Sequence, residues 1–227
     1  MIEITKLIKS YYRGSNQNPV LKSINLSISK GEFLSIVGKS GAGKSTLINI
    51  LGLLDAEFSG QYHFLGLDIR ELSDNQLSEL RNTSIGFVFQ NFKLIENLSV
   101  YENIVLPLLY AGKSRSTLQK VVSETLDLVD LPNLESKRPN ELSGGQQQRV
   151  AIARAIIMDP EIIIADEPTG ALDSKTSRDI MNIFKKINDR RKTTIIMVTH
   201  DLQLAQQTNR IITISDGAIL SDTGRNS

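Results

Sequence analysis

The stretch GKSGAGKS, Gly38 to Ser45, decides the fold of this chain. It fits the pattern G-x-x-x-x-G-K-[ST] of a phosphate-binding loop. Gly38, Gly41 and Gly43 let the backbone curl so that its N–H groups point at phosphate oxygens, and Ser40, Ala42 and Thr46 complete the cradle. A helix that follows at once adds the positive end of its dipole. Lys44 is placed to neutralise the β and γ phosphates, and the Ser45 hydroxyl to ligate Mg²⁺. The motif requires a strand before it and a helix after it. Phe33 to Val37 is a short, mostly apolar run that enters the loop, and Ser45 to Leu54 reads as a helix with Leu47, Ile48, Ile50, Leu51 and Leu54 on a wide apolar face. Alone, the loop says only that a nucleoside triphosphate is bound, which kinases, GTPases, helicases and transport ATPases share.

Outward from the loop, further strands are legible. Ile162 to Ala165 is continuous and apolar, as a strand buried on both faces of a parallel sheet must be. It ends in Asp166 and Glu167, two carboxylates at the edge where ligands bind in open α/β sheets. Asp166 is expected to hold Mg²⁺ through water and Glu167 to act as the general base that polarises the attacking water. Taken alone, the pair reads equally well as a solvated acidic turn; the glycine loop decides for chemistry. Ile85 to Phe89, ending at Gln90, and Thr194 to Thr199, ending at His200, read as neighbouring strands. Alternation at Ile2, Ile4 and at Ile24, Leu26, Ile28 predicts a small antiparallel layer. Ile211 to Ile214, Asp216-Gly217 and Ala218 to Leu220 predict a closing hairpin.

Between Asn91 and Met158 the pattern turns helical. Leu118, Val121, Val122, Thr125, Leu126 and Val129 recur at three and four residues and stop before Pro132. The tail from Ser221 to Ser227 is polar and expected to fray.

Composition excludes several classes. At 227 residues the chain buries about 70–75% of its unfolded surface without a disulfide or metal staple. It has no cysteine, so thiol catalysis and cysteine-ligated metals are out, and a cytosolic setting fits. Twenty-six basic and 25 acidic residues give a net charge of +1, no basis for non-specific nucleic-acid or lipid binding. The longest apolar runs are strand-length, far below the ~20 residues that span a bilayer. The N-terminus reads as a strand and not as a signal peptide, so work at a membrane must pass through a separate subunit.

LSGGQQQR, Leu142 to Arg149, narrows the class. Ser143 is a good helix N-cap, and Gly144 and Gly145 leave backbone N–H groups open before a helical run that ends near Pro160. A helix start of this kind is an anion site without a lysine of its own. A plain capped helix accounts for Ser143 but does not call for two glycines.

With these motifs in this order, nearly the whole chain resembles the ATP-binding subunits of ABC transporters. GFVFQNFKLI (Gly86 to Ile95), NELSGGQQQRVAIARA (Asn140 to Ala155) and ADEPTGALDSKT (Ala165 to Thr176) are similar to the macrolide-exporter and lipoprotein-release branch. The resemblance implies an α/β P-loop NTPase (RecA-like) core over 1–90 and 159–227, with a small antiparallel β layer. A helical signature subdomain over 91–158 is inserted into it. It implies ATP and Mg²⁺ as ligands and a head-to-tail dimer in which Ser143, Gly144, Gly145 and Gln146 meet the nucleotide held by a second copy of the chain. Gln90 resembles the glutamine that contacts Mg²⁺ or the lytic water and lies beside the docking groove of a membrane-spanning permease. Asp173 resembles the aspartate that communicates across the dimer, and His200 the histidine that contacts the γ phosphate. Tyr11 resembles the aromatic residue that stacks on adenine; Tyr12 competes, and strand parity does not decide between them. His63, within GQYHFLG, reads as a strand side chain without chemistry. Lys39 stands where family members often carry proline, a departure that adds charge near the phosphates.

The implied activity is ATP hydrolysis at the cytoplasmic face of a membrane, powering export or extraction by the permease. Early termination after His200, with no regulatory domain, fits the exporter-like branch. A rival of the same fold drives a transmembrane signalling or cell-division complex and transports nothing. A soluble ABC protein of DNA repair or translation fits poorly, because neither a long coiled-coil insertion nor a second module is present.

Overall fold

The computed structural model describes residues 1–13, 16–114 and 118–224; the end of the polar tail, 225–227, lies outside them. Among the described residues ten strands form two sheets. In the first, β1 (Ile2–Arg13) lies between β2 (Asn16–Ile28) and β4 (Ser59–Phe64), with β5 (Leu67–Asp68) beyond, all antiparallel. Ile2 faces Ile28 and Ile4 faces Leu26 across the pair, so the alternation read from sequence is a buried inner face.

The second sheet runs β10 (Ala218–Asp222), β9 (Arg210–Ser215), β3 (Phe33–Val37), β8 (Thr194–Val198), β7 (Ile162–Asp166), β6 (Ile85–Phe89). Five of these strands are parallel and β10 alone is antiparallel. Asp216 and Gly217 both have positive φ, 50° and 79°, the left-handed pair that a two-residue hairpin turn requires.

Both faces of this sheet are covered. Ile162, Ile164, Ile196, Val198, Leu34 and Ile36 pack with α1 (Lys44–Leu51) and the antiparallel sheet. Ile163, Ala165, Ile195 and Met197 pack on the other face with α5 (Gly144–Ile156) and α6 (Ser174–Arg191). Period-two alternation with no polar face is why β7 and β8 read as continuous apolar runs.

Three helices fill much of 91–158: α3 (Val100–Tyr110), α4 (Gln119–Leu128) and α5. The segment before α3 is not helical. Buried Asn103 organises it, accepting from Ile95 N and donating to the carbonyls of Ile95, Leu98 and Ser99. Two details differ from the sequence reading. The first helix stops at Leu51: Gly52, where a Cβ would come within 2.5 Å of the Phe87 ring, is its C-cap, Leu53 turns to φ 56°, and Leu54 is left half exposed. Val121 also faces outward, while Val122, Thr125 and Leu126 hold the buried stripe of α4. The remaining α-helices among the described residues are α2 (Asp74–Ser84) and the short α7 (Leu202–Ala205).

Candidate nucleotide site

Strand register gathers the candidate residues. Phe89, Asp166, Val198 and Ile36 stand side by side at the C-terminal edge of four adjacent parallel strands. The residues that follow them are therefore neighbours: Gln90 after β6, Glu167 after β7, Thr199 and His200 after β8, and Gly38 just past the end of β3. Ligands bind at this edge of an open α/β sheet because the strand ends and loops leave a crevice there.

The glycine loop enters α1 through Gly43, at φ 102°, and Gly41 is at φ 78° with open space where a Cβ would sit. Gly38 serves differently: a Cβ there would lie 2.3 Å from the Ile214 carbonyl. The β9–β10 hairpin braces the loop, since Gly217 N donates to Ala42 O at 3.1 Å. Lys44 Nζ donates to the carbonyls of Gly38 and Lys39 at 2.7 and 2.9 Å, so the ammonium lies inside the loop's own curl. Ser40 and Ser45 are exposed, Thr46 half-buried and Ala42 buried.

Asp166 is half-buried. Burial, and then the neighbouring Glu167 carboxylate, push its carboxyl above the ordinary range, while Lys44 offsets part of the shift. A carboxylate held this way gains from a cation, and Lys44 is the cation that the chain itself supplies. Among the described residues no three His, Cys, Asp or Glu side chains cluster as a metal site. Ser45, Gln90 and Asp166, which the sequence reading assigns to Mg²⁺, offer a hydroxyl, an amide and a carboxylate oxygen, hard donors of the kind that would fit this cation. The open cradle at Gly41 fits phosphate oxygens in the same sense.

Glu167 has φ 48°, an uncommon conformation for a non-glycine residue. Its N–H donates to Val198 O at 2.9 Å, and its carbonyl accepts from Gly170 N at 3.0 Å. His200 Nδ1 is 2.9 Å from each carboxylate oxygen of Glu167. The Gln90 amide lies against Gly170, where a Cβ would meet Nε2 at 2.8 Å. A cleft of about 310 Å³ opens beside Glu167 and His200, lined also by Thr169, Ser177, Arg178 and Gln207.

Ser143 N-caps α5: its hydroxyl accepts from Gln146 N at 3.3 Å, and the Gln146 side chain returns to Ser143 N at 2.9 Å. Among the described residues no hydrogen bond or ion pair joins Ser143 to Gln146 with the loop Gly38 to Ser45. The two glycines differ. A Cβ on Gly145 would meet Thr176 Cγ2 at 2.5 Å, whereas one on Gly144 would find only ordinary contacts, Leu172 at 3.5 Å and Phe92 at 3.7 Å. Packing within the chain therefore explains Gly145 and leaves Gly144 to another cause. Asp173 caps α6, accepting from Lys175 N, Thr176 N and Thr176 Oγ1.

On β1, buried Lys9 bonds Asp55 Oδ1 at 2.8 Å and Glu57 O at 2.6 Å, and its ammonium lies 5.1 Å from the centre of the Tyr11 ring. The Tyr11 hydroxyl also reaches Asp55 Oδ2 at 3.5 Å, while Tyr12 is 73% exposed. Lys9 and Asp55 escaped the sequence reading; a lysine alternating with apolar residues in a strand was the available signal. His63 lies in β4 opposite Glu3.

A family model described as "ABC transporter" matches residues 21–170. The chain is 48% identical over 223 residues to the macrolide export ATP-binding/permease protein MacB of Mannheimia succiniciproducens, covering 98% of this chain and 34% of that protein. It is also 48% identical over 220 residues to the uncharacterised ABC transporter ATP-binding protein YknY of Bacillus subtilis, covering 97% of this chain and 95% of that one. The chain thus spans about a third of its MacB relatives and nearly all of YknY. Among solved structures, the dimeric post-hydrolysis state of the ATP-binding cassette MJ0796 bound to ADP and Pi superposes with a TM-score of 0.89 at 42% identity, covering 98% of this chain and 97% of that one. A P-loop ATPase edge, a separate capped signature helix and these likenesses agree: the chain belongs to the ABC transporter family, as its ATP-binding and ATP-hydrolysing part.

Proposed function

We propose that two copies of this chain close head-to-tail on two ATP molecules and hydrolyse them to drive a membrane-spanning permease. The single observation that carries this reading is the strand register that aligns Phe89, Asp166, Val198 and Ile36. It brings Gln90, Glu167, His200 and the glycine loop to one sheet edge, and among the described residues the signature helix start makes no bond to that loop. The solved MJ0796 relatives are dimeric, which supports a second copy as the signature's target.

In this reading the loop amides from Gly38 to Thr46 and the Lys44 ammonium hold the β and γ phosphates. Mg²⁺, when bound at Ser45, Gln90 and Asp166, neutralises charge on the phosphate oxygens. Glu167 accepts a proton from the attacking water, and Gln90 orients that water. His200 donates toward the γ phosphate. Ser143, Gly144, Gly145 and Gln146 of the second copy present the open end of α5 to the same phosphate, and Asp173 lies at the seam. Tyr11 stacks on adenine; a stacked ring reads the base's face and not its edge, so base specificity is expected to be loose, with some GTP turnover.

The permease docks near Gln90, which places the chain at the cytoplasmic face of the membrane. Among the described residues no helix is long and apolar enough to cross a membrane. The likeness to MacB supports export or extraction as the work done; a signalling or cell-division complex without transport is the second reading, and the sequence of the associated membrane protein separates the two.

The test is Glu167→Gln. Turnover is expected to fall by about 10²–10⁴-fold, the loss of a general base, and ATP is expected to trap a dimer on a sizing column. Near-normal turnover overturns the assignment.

A further inference from the structure

Gln148 lies on the second turn of the signature helix, and its side chain is fully buried. Its amide Nε2 donates to the carbonyl of Pro168 at 2.6 Å. Its Oε1 is buried without a hydrogen-bond partner. Turning the amide over would set oxygen against oxygen, so the orientation is determined by the Pro168 carbonyl. A buried amide with one end unpartnered costs stability that an apolar side chain of the same shape would avoid. The residue is therefore explained by what its one bond holds.

What it holds is the turn of the general base. Pro168 directly follows Glu167, whose φ of 48° is costly for a non-glycine residue. Such a conformation persists only when its surroundings over-determine it. Three bonds do so: Glu167 N to Val198 O on the β8 side, Gly170 N to Glu167 O across the turn, and Gln148 Nε2 to Pro168 O from α5. The first ties the turn to β8 within the sheet and the second lies within the turn itself. The third reaches it from α5, outside the sheet edge.

We propose that Gln148 is a positioning residue for Glu167, and that through it the seating of the signature helix sets the aim of the base in the same chain. This rests on the dimeric reading above. There, α5 serves the nucleotide held by the partner while Glu167 acts on the nucleotide of its own chain. One hydrogen bond, between residues 20 apart in sequence, thus ties the two nucleotide sites of the dimer to each other.

The experiment compares Gln148→Leu and Gln148→Met with the unaltered chain and with Glu167→Gln, using full-length protein at concentrations that support ATP-driven dimers. Met keeps the length and Leu most of the bulk, and both remove the donor. The expected result is a kcat lower by about 10–100-fold, the scale of a misplaced catalytic group. KM for ATP stays within about twofold, and the cooperativity of turnover in ATP is lost. A residue with a packing role only would lower the melting temperature and leave kcat and cooperativity unchanged. Unchanged kcat in either folded variant overturns the proposal, as does a fall in which KM rises in proportion. If Glu167→Gln itself turns over ATP normally, the assignment of the base fails; if Glu167→Gln is dead and the folded Gln148 variants are normal, the positioning role alone fails.

Discussion

His200 Nδ1 lies 2.9 Å from both carboxylate oxygens of Glu167. The side chain of Glu167 is largely shielded and that of His200 is 73% exposed. The imidazole thus reaches in from solvent over the carboxylate proposed as the base, from the strand next to it. An N–H at Nδ1 orients the carboxylate and leaves Nε2 on the far side of the ring.

If His200 and Glu167 work as a unit, their losses do not add. His200→Ala is expected to lower turnover by about 10²–10³-fold, the effect of removing one preorganised donor, and to lower it no further in a Glu167→Gln background. Steady-state kinetics of the two single variants and the double variant check this. Additive losses would show that the two side chains act in separate steps.

The unequal glycines of the signature make a sharper test of the dimer. Gly144→Ala meets only ordinary contacts within the chain, so the melting temperature of the isolated subunit is expected to hold or rise, by up to about 1 kcal/mol in stability. ATP-driven dimer formation, read by sizing or light scattering, is expected to weaken. Gly145→Ala forces Thr176 aside and strains its 2.6 Å bond to Asp173, so stability and dimer formation are both expected to fall.

The choice between the two tyrosines follows from packing. Tyr11 is held by Lys9 and Asp55, while Tyr12 projects into solvent. Tyr11→Ala is expected to raise KM for ATP by about 5–150-fold, the equivalent of 1–3 kcal/mol of stacking, with kcat nearly unchanged. Tyr12→Ala is expected to leave KM within about twofold. The reverse pattern would transfer the role to Tyr12.

Acid sensitivity should report the α6 cap. The Thr176 hydroxyl, then the backbone N–H groups of Thr176 and Lys175, hold the Asp173 carboxyl below its usual range. A depressed carboxyl binds its proton less readily in the folded chain than in the unfolded one. Its contribution to stability is therefore full above the ordinary carboxylate range, near pH 4 and upward, and disappears as pH falls through the lowered folded value. Melting curves of the unaltered chain and Asp173→Ala are expected to differ at neutral pH and converge in strong acid. A difference that persists unchanged in acid would show that the cap does not act through the ionised carboxylate.

Local sequence was enough wherever one period or one turn carried the structure. The strand Phe33–Val37, the central strand Ile162–Asp166, the Asp216-Gly217 hairpin and the capped start at Ser143 were all legible, because each depends on residues within one turn or one pleat of each other. Helix ends were less legible. α1 ends at Gly52 and the chain turns at Leu53 with φ 56°, although apolar residues continue to Leu54; the Phe87 ring packed on Gly52 lies on a strand more than thirty positions away. Asn103 likewise looks like an ordinary helix residue until four groups between Ile95 and Ser99 converge on its amide.

The sequence by itself determined the chemistry: a glycine loop with Lys44 and Ser45, two carboxylates at a strand end, and a serine-glycine helix start that carries no charge of its own. Residue type and short spacing suffice for these, since they decide which atoms are donors, acceptors or bases. Tertiary structure alone decided which of them meet. The register of β6, β7, β8 and β3 set Gln90, Glu167, His200 and the loop at one edge, the strained turn after β7 came under the hold of Gln148 from α5, and Gly145 separated from Gly144 only through the position of Thr176. Each of these is a contact between segments far apart along the chain, and its existence depends on how whole elements stack.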